Sequence, residues 1–249
     1  MKIAGRIAGT ALREAGKAVR PGITTAELDE IVRSCIVSQG ATPSFLGYNG
    51  FPGSACISLN EQVIHGIPSR HVIVHEGDLV KIDVGACYKG YHGDCAATFG
   101  AGKISEEALR LLRVTRESFF AGIKFARPGY RLFDISSAVQ TCAERAGYGV
   151  VRKYVGHGVG AHLHEDPEVP NFGQPGKGPR LIPGMTLAIE PMINAGTADV
   201  ITKDVWYVTT ADKKLSSHYE NSVLITSGDP IILTDSGEGP IVAEELLQA

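Results

Sequence analysis

The spacing of apolar residues along the chain predicts a set of helices and strands. Apolar positions three and four residues apart predict helices over residues 2–18, 24–39, 105–124 and 132–146. Stretches in which apolar and polar residues alternate predict later strands over residues 185–190, 205–209 and 217–225. Helix starts are supported by capping residues, namely Thr24 or Thr25, and Ser105 followed by Glu106 and Glu107. Two helices followed by strands therefore occur twice in one α/β chain.

The clearest hairpin lies within residues 77–99, where two alternating runs flank a tight turn. A turn at Tyr88 and Lys89 would place Asp83 directly opposite Asp94. Moving the turn on by one residue shifts the register by two and keeps both aspartates on one face. Two carboxylates this close repel each other unless a cation lies between them or the pKa of one is raised. The alternative interpretation is a sheet face exposed to solvent, where the repulsion is weak.

The chain also contains an internal similarity at an offset of 107 residues. Lys-Ala-Val-Arg-Pro-Gly at 17–22 returns as Lys-Phe-Ala-Arg-Pro-Gly at 124–129. The same offset pairs positions in the helices that follow: Leu28 with Ile135, Val32 with Val139 and Cys35 with Cys142. It also pairs Asp83 with Glu190. Chance similarity is the alternative, but one offset in three separate segments favours a duplication, with repeats over approximately 1–105 and 106–249 and a site at their junction.

Five residues with metal-binding side chains lie in strand-like or glycine-bounded runs, where an isolated charge would be costly to bury. They are Asp83, Asp94, His157, Glu190 and Glu220. Pro191 after Glu190 predicts a strand edge or bulge there. The set is too large for one tetrahedral zinc and suits two divalent ions about 3.5–4 Å apart. Oxygen-rich ligation favours Mn, Fe(II) or Co, and Co or Zn is able to occupy such a site in vitro.

Other residues leave their roles open. His65, His162 and His164 lie in loops, where a histidine is a solvated bystander or a functional group. The alternating run around Cys56 predicts half-buried packing rather than a nucleophile. Gly156-His-Gly-Val-Gly160 lacks the spacing and the Gly-Lys-Ser/Thr ending of a phosphate loop.

Composition restricts the class of protein. The 249 residues are 43% apolar, which is sufficient for one large or two small globular domains. A net charge of −3 without a dense Lys/Arg run argues against a nucleic-acid surface, and there is no transmembrane-length or signal-peptide stretch. Five cysteines without Cys-x-x-Cys disfavour a disulfide framework or a sulfur-ligated zinc, so a reducing, cytoplasmic setting is expected.

Several segments of this sequence closely resemble the motifs of type I methionine aminopeptidases. They are Asn60-Glu-x-x-x-His65-Gly-Ile-Pro68, Asp83-Val-Gly85 to Gly93-Asp94, Gly156-His157-Gly-Val-Gly160 to His164-Glu-x-Pro167, Ala188-Ile-Glu190-Pro191 and Tyr219-Glu220. The match covers nearly the whole chain. The stretch between His157 and Glu190 is too short for the helical insertion typical of type II.

The resemblance implies a duplicated pita-bread α/β fold, in which a curved antiparallel sheet is covered by helices and the two halves are related by a pseudo-twofold axis. One catalytic metallopeptidase domain would occupy residues 1–249. Its implied activity is removal of the initiator methionine from nascent polypeptides whose second residue is small. The implied partner is the N-terminal methionine of these chains, the ribosome is a candidate partner, and a monomer is expected.

Site roles are implied by the same resemblance. Asp83 would chelate one metal and His157 the other, Asp94 and Glu220 would bridge, and Glu190 would bind the second metal and shuttle a proton. A hydroxide activated by the two ions would attack the first peptide bond. His65 and His164 would hydrogen-bond the scissile peptide. The implied methionine pocket consists of Phe45, Tyr48, Phe51, Cys56, His65, Leu163, His164 and Trp206.

The pocket departs from the commonest family pattern, in which a cysteine is often expected at Phe45, a tyrosine at Phe51 and a phenylalanine at Leu163. Ala161 also replaces a frequent arginine.

Three rival functions remain. The first is an X-Pro aminopeptidase or dipeptidase, which would have an additional N-terminal domain, whereas this chain begins almost directly with the first repeat. The second is a binding protein that has the same fold but no catalytic activity. The third is a two-metal phosphoesterase.

Overall fold

The computed structural model describes residues 1–239. Within this range there are four α-helices, α1 Lys2–Ala18, α2 Thr25–Ser38, α3 Glu106–Ile123 and α4 Leu132–Arg145. The strands of the first part are β1 Thr42–Pro43, β2 Ala55–Leu59, β3 Gln62–Ile64, β4 Leu79–Tyr88 and β5 Tyr91–Gly100. Those that follow are β6 Gly149–Val150, β7 Gly156–Gly158, β8 Glu165–Val169, β9 Thr186–Ile189, β10 Met192–Asn194, β11 Val200–Thr202, β12 Val208–Thr210, β13 Ser216–His218, β14 Glu220–Leu224 and β15 Ile231–Ile232.

The predicted helices are confirmed, and their caps explain where two of them begin. Thr24 caps α2 in a capping box, since its side chain accepts the Glu27 N–H and the Glu27 carboxylate accepts the Thr24 N–H. Ser105 caps α3 by accepting the N–H of Ala108.

The strands form one large antiparallel sheet and two small ones. The path through the large sheet is β1-β4-β5-β14-β9-β7-β8, with β2 also on β4 and β15 also on β14. The small sheets are β13-β10-β6 and β11-β12-β3. Strand β14 therefore lies between β5 from the first half of the chain and β9 from the second.

One face of the large sheet packs on the helices. Along β4, Val80, Ile82 and Val84 alternate with residues of the other face and are fully buried in the core. Helix α1 approaches the sheet so closely that a Cβ on Gly93 would lie 2.5 Å from the Gly5 backbone. The helices thus cover one side, and Asp83 in β4 points to the opposite side.

The hairpin turn consists of Lys89 and Gly90, which is the second of the two predicted registers. Both residues have positive φ, 51° and 78°, as a type I′ hairpin turn requires. Asp94 consequently pairs with Gly85 and Ala96 pairs with Asp83. The two aspartates lie diagonally on one face.

The predicted strands at 185–190 and 217–225 both break at neighbouring points of the structure. The run at 217–225 divides at Tyr219, because β13 pairs with β10 whereas β14 pairs with β9 and β5. Opposite this point, β9 ends before Glu190 and Pro191, and the Pro191 carbonyl accepts the Tyr219 N–H. The predicted edge at Pro191 is therefore the point where the chain leaves one sheet for another.

The strand predicted over residues 205–209 is wrong at its start. The carboxylate of Asp204 accepts the N–H groups of Trp206 and Tyr207, which folds this segment into a turn. The strand β12 begins only at Val208 and runs to Thr210. Trp206 is therefore carried by a loop.

Several features recur at the offset of 107 residues. Bridges join Thr24 to Ile73 and Arg131 to Arg180, which are equivalent positions. Gly22 and Gly129 also both have positive φ, 90° and 95°. These correspondences support the predicted duplication, whose repeat boundaries stay a prediction. Among residues 1–239, none of the helices combines the length and the apolar character needed to cross a membrane.

Candidate metal centre

Strand register brings the five predicted metal-binding side chains to one face of the large sheet. Asp83 and Glu220 are both cross-strand partners of Ala96, so they form one row over β4, β5 and β14. Asp94 lies two residues along β5 and therefore points the same way. His157 pairs with Ala188, two residues before Glu190.

Side-chain distances define a compact cluster. The Nε2 atom of His157 lies 3.8 Å from an Asp94 oxygen and 3.6 Å from a Glu190 oxygen. The Nδ1 atom of His157 lies 2.8 Å from the Gly158 carbonyl. A proton on Nδ1 donated to that carbonyl leaves the Nε2 lone pair directed at the carboxylates, which is the arrangement used by metal-bound imidazoles.

Burial opposes charge at this cluster. It raises the pKa of Asp94 to about 7, and burial together with the Asp94 charge raises the pKa of Asp83 and of Glu220 well above the usual range. The pKa of Glu190 is raised by burial and by Asp83 and Asp94. Burial lowers the pKa of His157 to about 4, so this imidazole is neutral at pH 7.

The residues fit divalent ions. Buried oxygen atoms of Asp83, Asp94 and Glu220 have no hydrogen-bond partner, which is costly unless a cation binds them. Two sets of ligand atoms within 4.8 Å of one another are present in the described chain, Asp94-His157-Glu220 and Asp83-His218-Glu220. Glu220 belongs to both sets. The donors are oxygen-rich with imidazole nitrogen, as hard and borderline divalent metals prefer.

A cavity of about 210 Å³ opens above the cluster. It is lined by all the predicted site residues, namely Phe45, Tyr48, Phe51, Cys56, His65, Asp83, Asp94, His157, Leu163, His164, Glu190, Trp206 and Glu220. Asn49 also lines it. The structure therefore brings every residue of the predicted site to one cavity, while their individual roles stay predictions.

The apolar wall of the cavity is a separate small cluster. Phe45, Phe51, Cys56 and Leu163 are buried there and Trp206 packs against them. The Phe51 and Trp206 rings meet edge to face with centroids 5.1 Å apart. Burial and nearby carboxylates raise the pKa of the Cys56 thiol, as expected for a packing residue and not for a nucleophile.

Two histidines complete the walls. The Nδ1 atom of His164 lies 2.8 Å from the Tyr48 hydroxyl, and the His164 ring centroid is 4.2 Å from that of His157. His65 has a φ of 58°, an uncommon conformation for a residue other than glycine, and its ring packs edge to face on Trp206. His162, by contrast, is exposed and outside the cavity lining.

Two residues of this region, Asn49 and His218, were not predicted from the sequence. Asn49 lies in a turn with a φ of 49°, which no periodic pattern reveals. His218 stands two residues before Glu220, and strand alternation would have pointed to the same face.

Protein prepared without divalent ions is expected to lose stability as the pH rises above about 6.5, the ordinary pKa of histidine. A carboxyl group whose folded pKa is raised contributes stability that is fully present below its unfolded pKa, about 4, and is lost progressively as the pH rises to its folded pKa. The folded pKa is about 7 for Asp94 and is raised well above the usual range for Asp83, Glu190 and Glu220, so the loss continues above neutral pH. Buried histidines act in the opposite direction, but only below their ordinary pKa of 6.5. Thermal unfolding across this range measures the effect.

The matched comparison is Asp94→Asn, which should unfold with less pH dependence because an amide cannot ionise. Divalent ions should remove the loss at high pH in the unaltered protein. A midpoint that rises with pH in the metal-free protein would contradict this assignment of buried protons.

Comparison with known proteins gives one consistent result. The sequence profile of metallopeptidase family M24 matches residues 1–227. A methionine aminopeptidase of Clostridium acetobutylicum is 54% identical over 235 residues, covering 94% of both chains. The crystal structure of methionine aminopeptidase from Thermotoga maritima superposes with a TM-score of 0.92 at 44% identity, covering 94% of both chains.

A prolidase from Pyrococcus furiosus shares the fold more distantly, with a TM-score of 0.77, 25% identity and coverage of 94% of this chain and 62% of the prolidase. The sheet and helices described above are therefore those of the pita-bread fold, as predicted. The resemblance found in the sequence motifs is confirmed as well. The chain belongs to metallopeptidase family M24 and, within it, to the methionine aminopeptidases.

Proposed function

We propose that this protein removes the N-terminal methionine from polypeptides whose second residue is small. The observation that carries the proposal is one cavity in which an oxygen-rich metal-binding cluster adjoins an apolar pocket. The cluster supplies the means of hydrolysis, and the pocket supplies selectivity for an apolar first residue.

The metal-binding residues in this proposal are Asp83, Asp94, His157, Glu190 and Glu220. Two divalent ions bound there supply Lewis-acid polarisation of a carbonyl and lower the pKa of a water molecule. Manganese, Fe(II) and cobalt suit the donor set, and zinc is a further candidate.

Glu190 is proposed to carry the proton of the attacking water to the leaving amine. Its carboxyl group lies 3.6 and 3.7 Å from two imidazole nitrogens. Burial and the charges of Asp83 and Asp94 raise its pKa well above the usual range, which suits a group that accepts a proton and then releases it. His164 and His65 would hydrogen-bond the scissile peptide and the oxygen that gains charge. Because Nδ1 of His164 contacts Tyr48, the Nε2 atom remains for the substrate.

The apolar pocket is proposed to hold the methionine side chain. Phenylalanine, tryptophan and cysteine side chains suit a thioether, since sulfur is polarisable and packs well on aromatic edges. The metal-binding floor of the cavity suits a free α-amino group, because its nitrogen in the neutral form is a donor for a divalent ion. Phe45, Phe51 and Leu163 set the pocket volume and therefore the tolerance for first residues other than methionine.

We expect hydrolysis of Met-Ala-Ser and Met-Gly-Met-Met, little release of methionine when the second residue is bulky, and none from N-acetylated peptides. In the proposed substrate pose, the scissile bond would lie beside His157, His164 and Tyr48, whose mutual contacts would limit the size of the second side chain. Acetylation turns the α-amino nitrogen into an amide nitrogen, which has no lone pair available for a metal ion. Released methionine is measured by chromatography.

The same assay on metal-free protein reconstituted with Mn, Fe(II), Co or Zn tests the function and ranks the ions. Met-Leu-Ser and N-acetyl-Met-Ala-Ser are the matched control peptides. A reconstituted preparation that cleaves phosphodiesters and leaves Met-Ala-Ser intact would overturn the proposal in favour of a phosphoesterase. Protein that binds ions and peptides but cleaves neither peptides nor phosphodiesters would instead indicate a binding protein.

An X-Pro peptidase is the remaining rival. Identity of 54% with a methionine aminopeptidase, against 25% with a prolidase, favours methionine removal. The substrate test separates the two, because a prolidase requires proline in the second position. Nascent chains as natural substrates, a cytoplasmic location, contact with the ribosome and a monomeric state are proposed with this function.

A further inference from the structure

A sixth candidate metal-binding side chain, His218, reaches the cluster. It ends β13, is 1% exposed and directs its Nε2 atom at two carboxylates. This atom lies 3.7 Å from a Glu190 oxygen and 3.8 Å from a Glu220 oxygen. It has no hydrogen-bond partner, which is uncommon for a buried polar atom.

Hydrogen bonds from the neighbouring strands β4 and β5 hold the backbone around His218 in place. Its N–H donates to the Thr98 hydroxyl at 2.8 Å, and that hydroxyl donates to the His218 carbonyl at 2.9 Å. The buried ammonium group of Lys81 donates to the Ser216 carbonyl at 3.1 Å in the same strand. The imidazole is therefore presented to the cluster by a rigid support and not by a free loop.

The cluster has a nearly symmetrical composition when His218 is included. His157 lies on one side with Asp94, and His218 lies on the other with Asp83. Both sets share Glu220, and Glu190 lies between the two imidazoles. A pair of ions bound in this way would each meet one aspartate, one imidazole and the shared glutamate.

We infer that His218 is a nitrogen ligand for the ion on the Asp83 side of the centre. The metal ion would then be the partner of the buried Nε2 atom of His218, which has no hydrogen bond. The ion beside Asp83 gains a borderline donor in an oxygen-rich set, which increases its affinity for Fe(II), Co or Zn relative to Mn.

The inference rests on the proposed metal centre and is tested by counting coordinated imidazoles. Protein loaded with two equivalents of Co(II) is studied by proton NMR in H2O and in D2O. A coordinated imidazole gives a strongly shifted N–H resonance that disappears in D2O. We expect two such resonances from the unaltered protein and one from His218→Gln. His75→Gln, which removes an exposed histidine, should retain both.

Calorimetric titration with Co(II) gives a second readout. His218→Gln should weaken binding of one ion by at least about tenfold, since even indirect support of a metal ligand accounts for about 10–100-fold in affinity. Binding of the other ion should change little. Thermal unfolding of the metal-free variant checks that the fold is intact.

The possible failures are distinguishable. Unaltered protein that binds two ions with a single exchangeable resonance would overturn the role of His218, and this result needs no variant. Unchanged affinities in His218→Gln would overturn it as well. Protein that binds no divalent ion would overturn the proposed function itself.

Discussion

Glu220→Gln is expected to reduce kcat/KM for Met-Ala-Ser by far more than about 100-fold, the upper range for loss of indirect support at a metal site. Glu220 is the residue common to both sets of candidate ligands, so its neutral amide would weaken both ion positions. Activity is measured together with bound metal by elemental analysis.

This variant separates a metal role from a structural one. Glutamine has the shape of glutamate and cannot ionise, and burial with three neighbouring carboxyl groups already disfavours the charged form of Glu220 in metal-free protein. Metal-free Glu220→Gln should therefore unfold at the same temperature as the unaltered protein or above it. Glu14→Gln, on the exposed face of α1, is the matched control and should keep full activity. Retention of both ions and of activity by Glu220→Gln would refute the proposed centre.

The second large effect concerns His157 and His164, which are in ring contact but have different proposed roles. His157→Ala is expected to lose bound metal and most activity, because its Nε2 atom faces Asp94 and Glu190. His164→Ala should keep its metal and lower kcat by about 10²–10³-fold, the usual loss for one hydrogen-bond donor to a transition state. Single-turnover assays and metal analysis on both variants measure the difference.

Tyr48→Phe provides a graded control for this comparison. It removes the hydroxyl that contacts Nδ1 of His164 and leaves the imidazole in place, so its effect on kcat should be smaller than that of His164→Ala. If His164→Ala lost its metal and His157→Ala retained it, the proposed roles of the two histidines would be contradicted.

Local patterns were sufficient to predict the helices and the face on which the aspartates lie. Amphipathic spacing and caps such as Thr24 and Ser105 act within a few residues, so the sequence contains them. The period of two along a strand places Asp83 and Asp94 on one face in either register. The family resemblance, and not periodicity, identified the pocket residues.

Features that depend on distant partners could not be read locally. The break at Tyr219 exists because neighbouring stretches pair with different strands, β10 on one side and β9 with β5 on the other. Trp206 leaves the predicted strand because Asp204 accepts the next two amide groups. Alternation from Glu220 indicates the face of His218, but its closeness to Glu190 follows from the packing of separate strands and could not be read locally.

The position of β14 between β5 and β9 affects how the protein matures during synthesis. Until residues 220–224 have left the ribosome, the emerging chain carries Asp83, Asp94, His157 and Glu190 without the shared glutamate. The two halves are then also unjoined at the middle of the sheet. The proposed metal centre is therefore complete only after β14 has emerged and paired with both of its neighbours, so the order of synthesis sets when the centre can form.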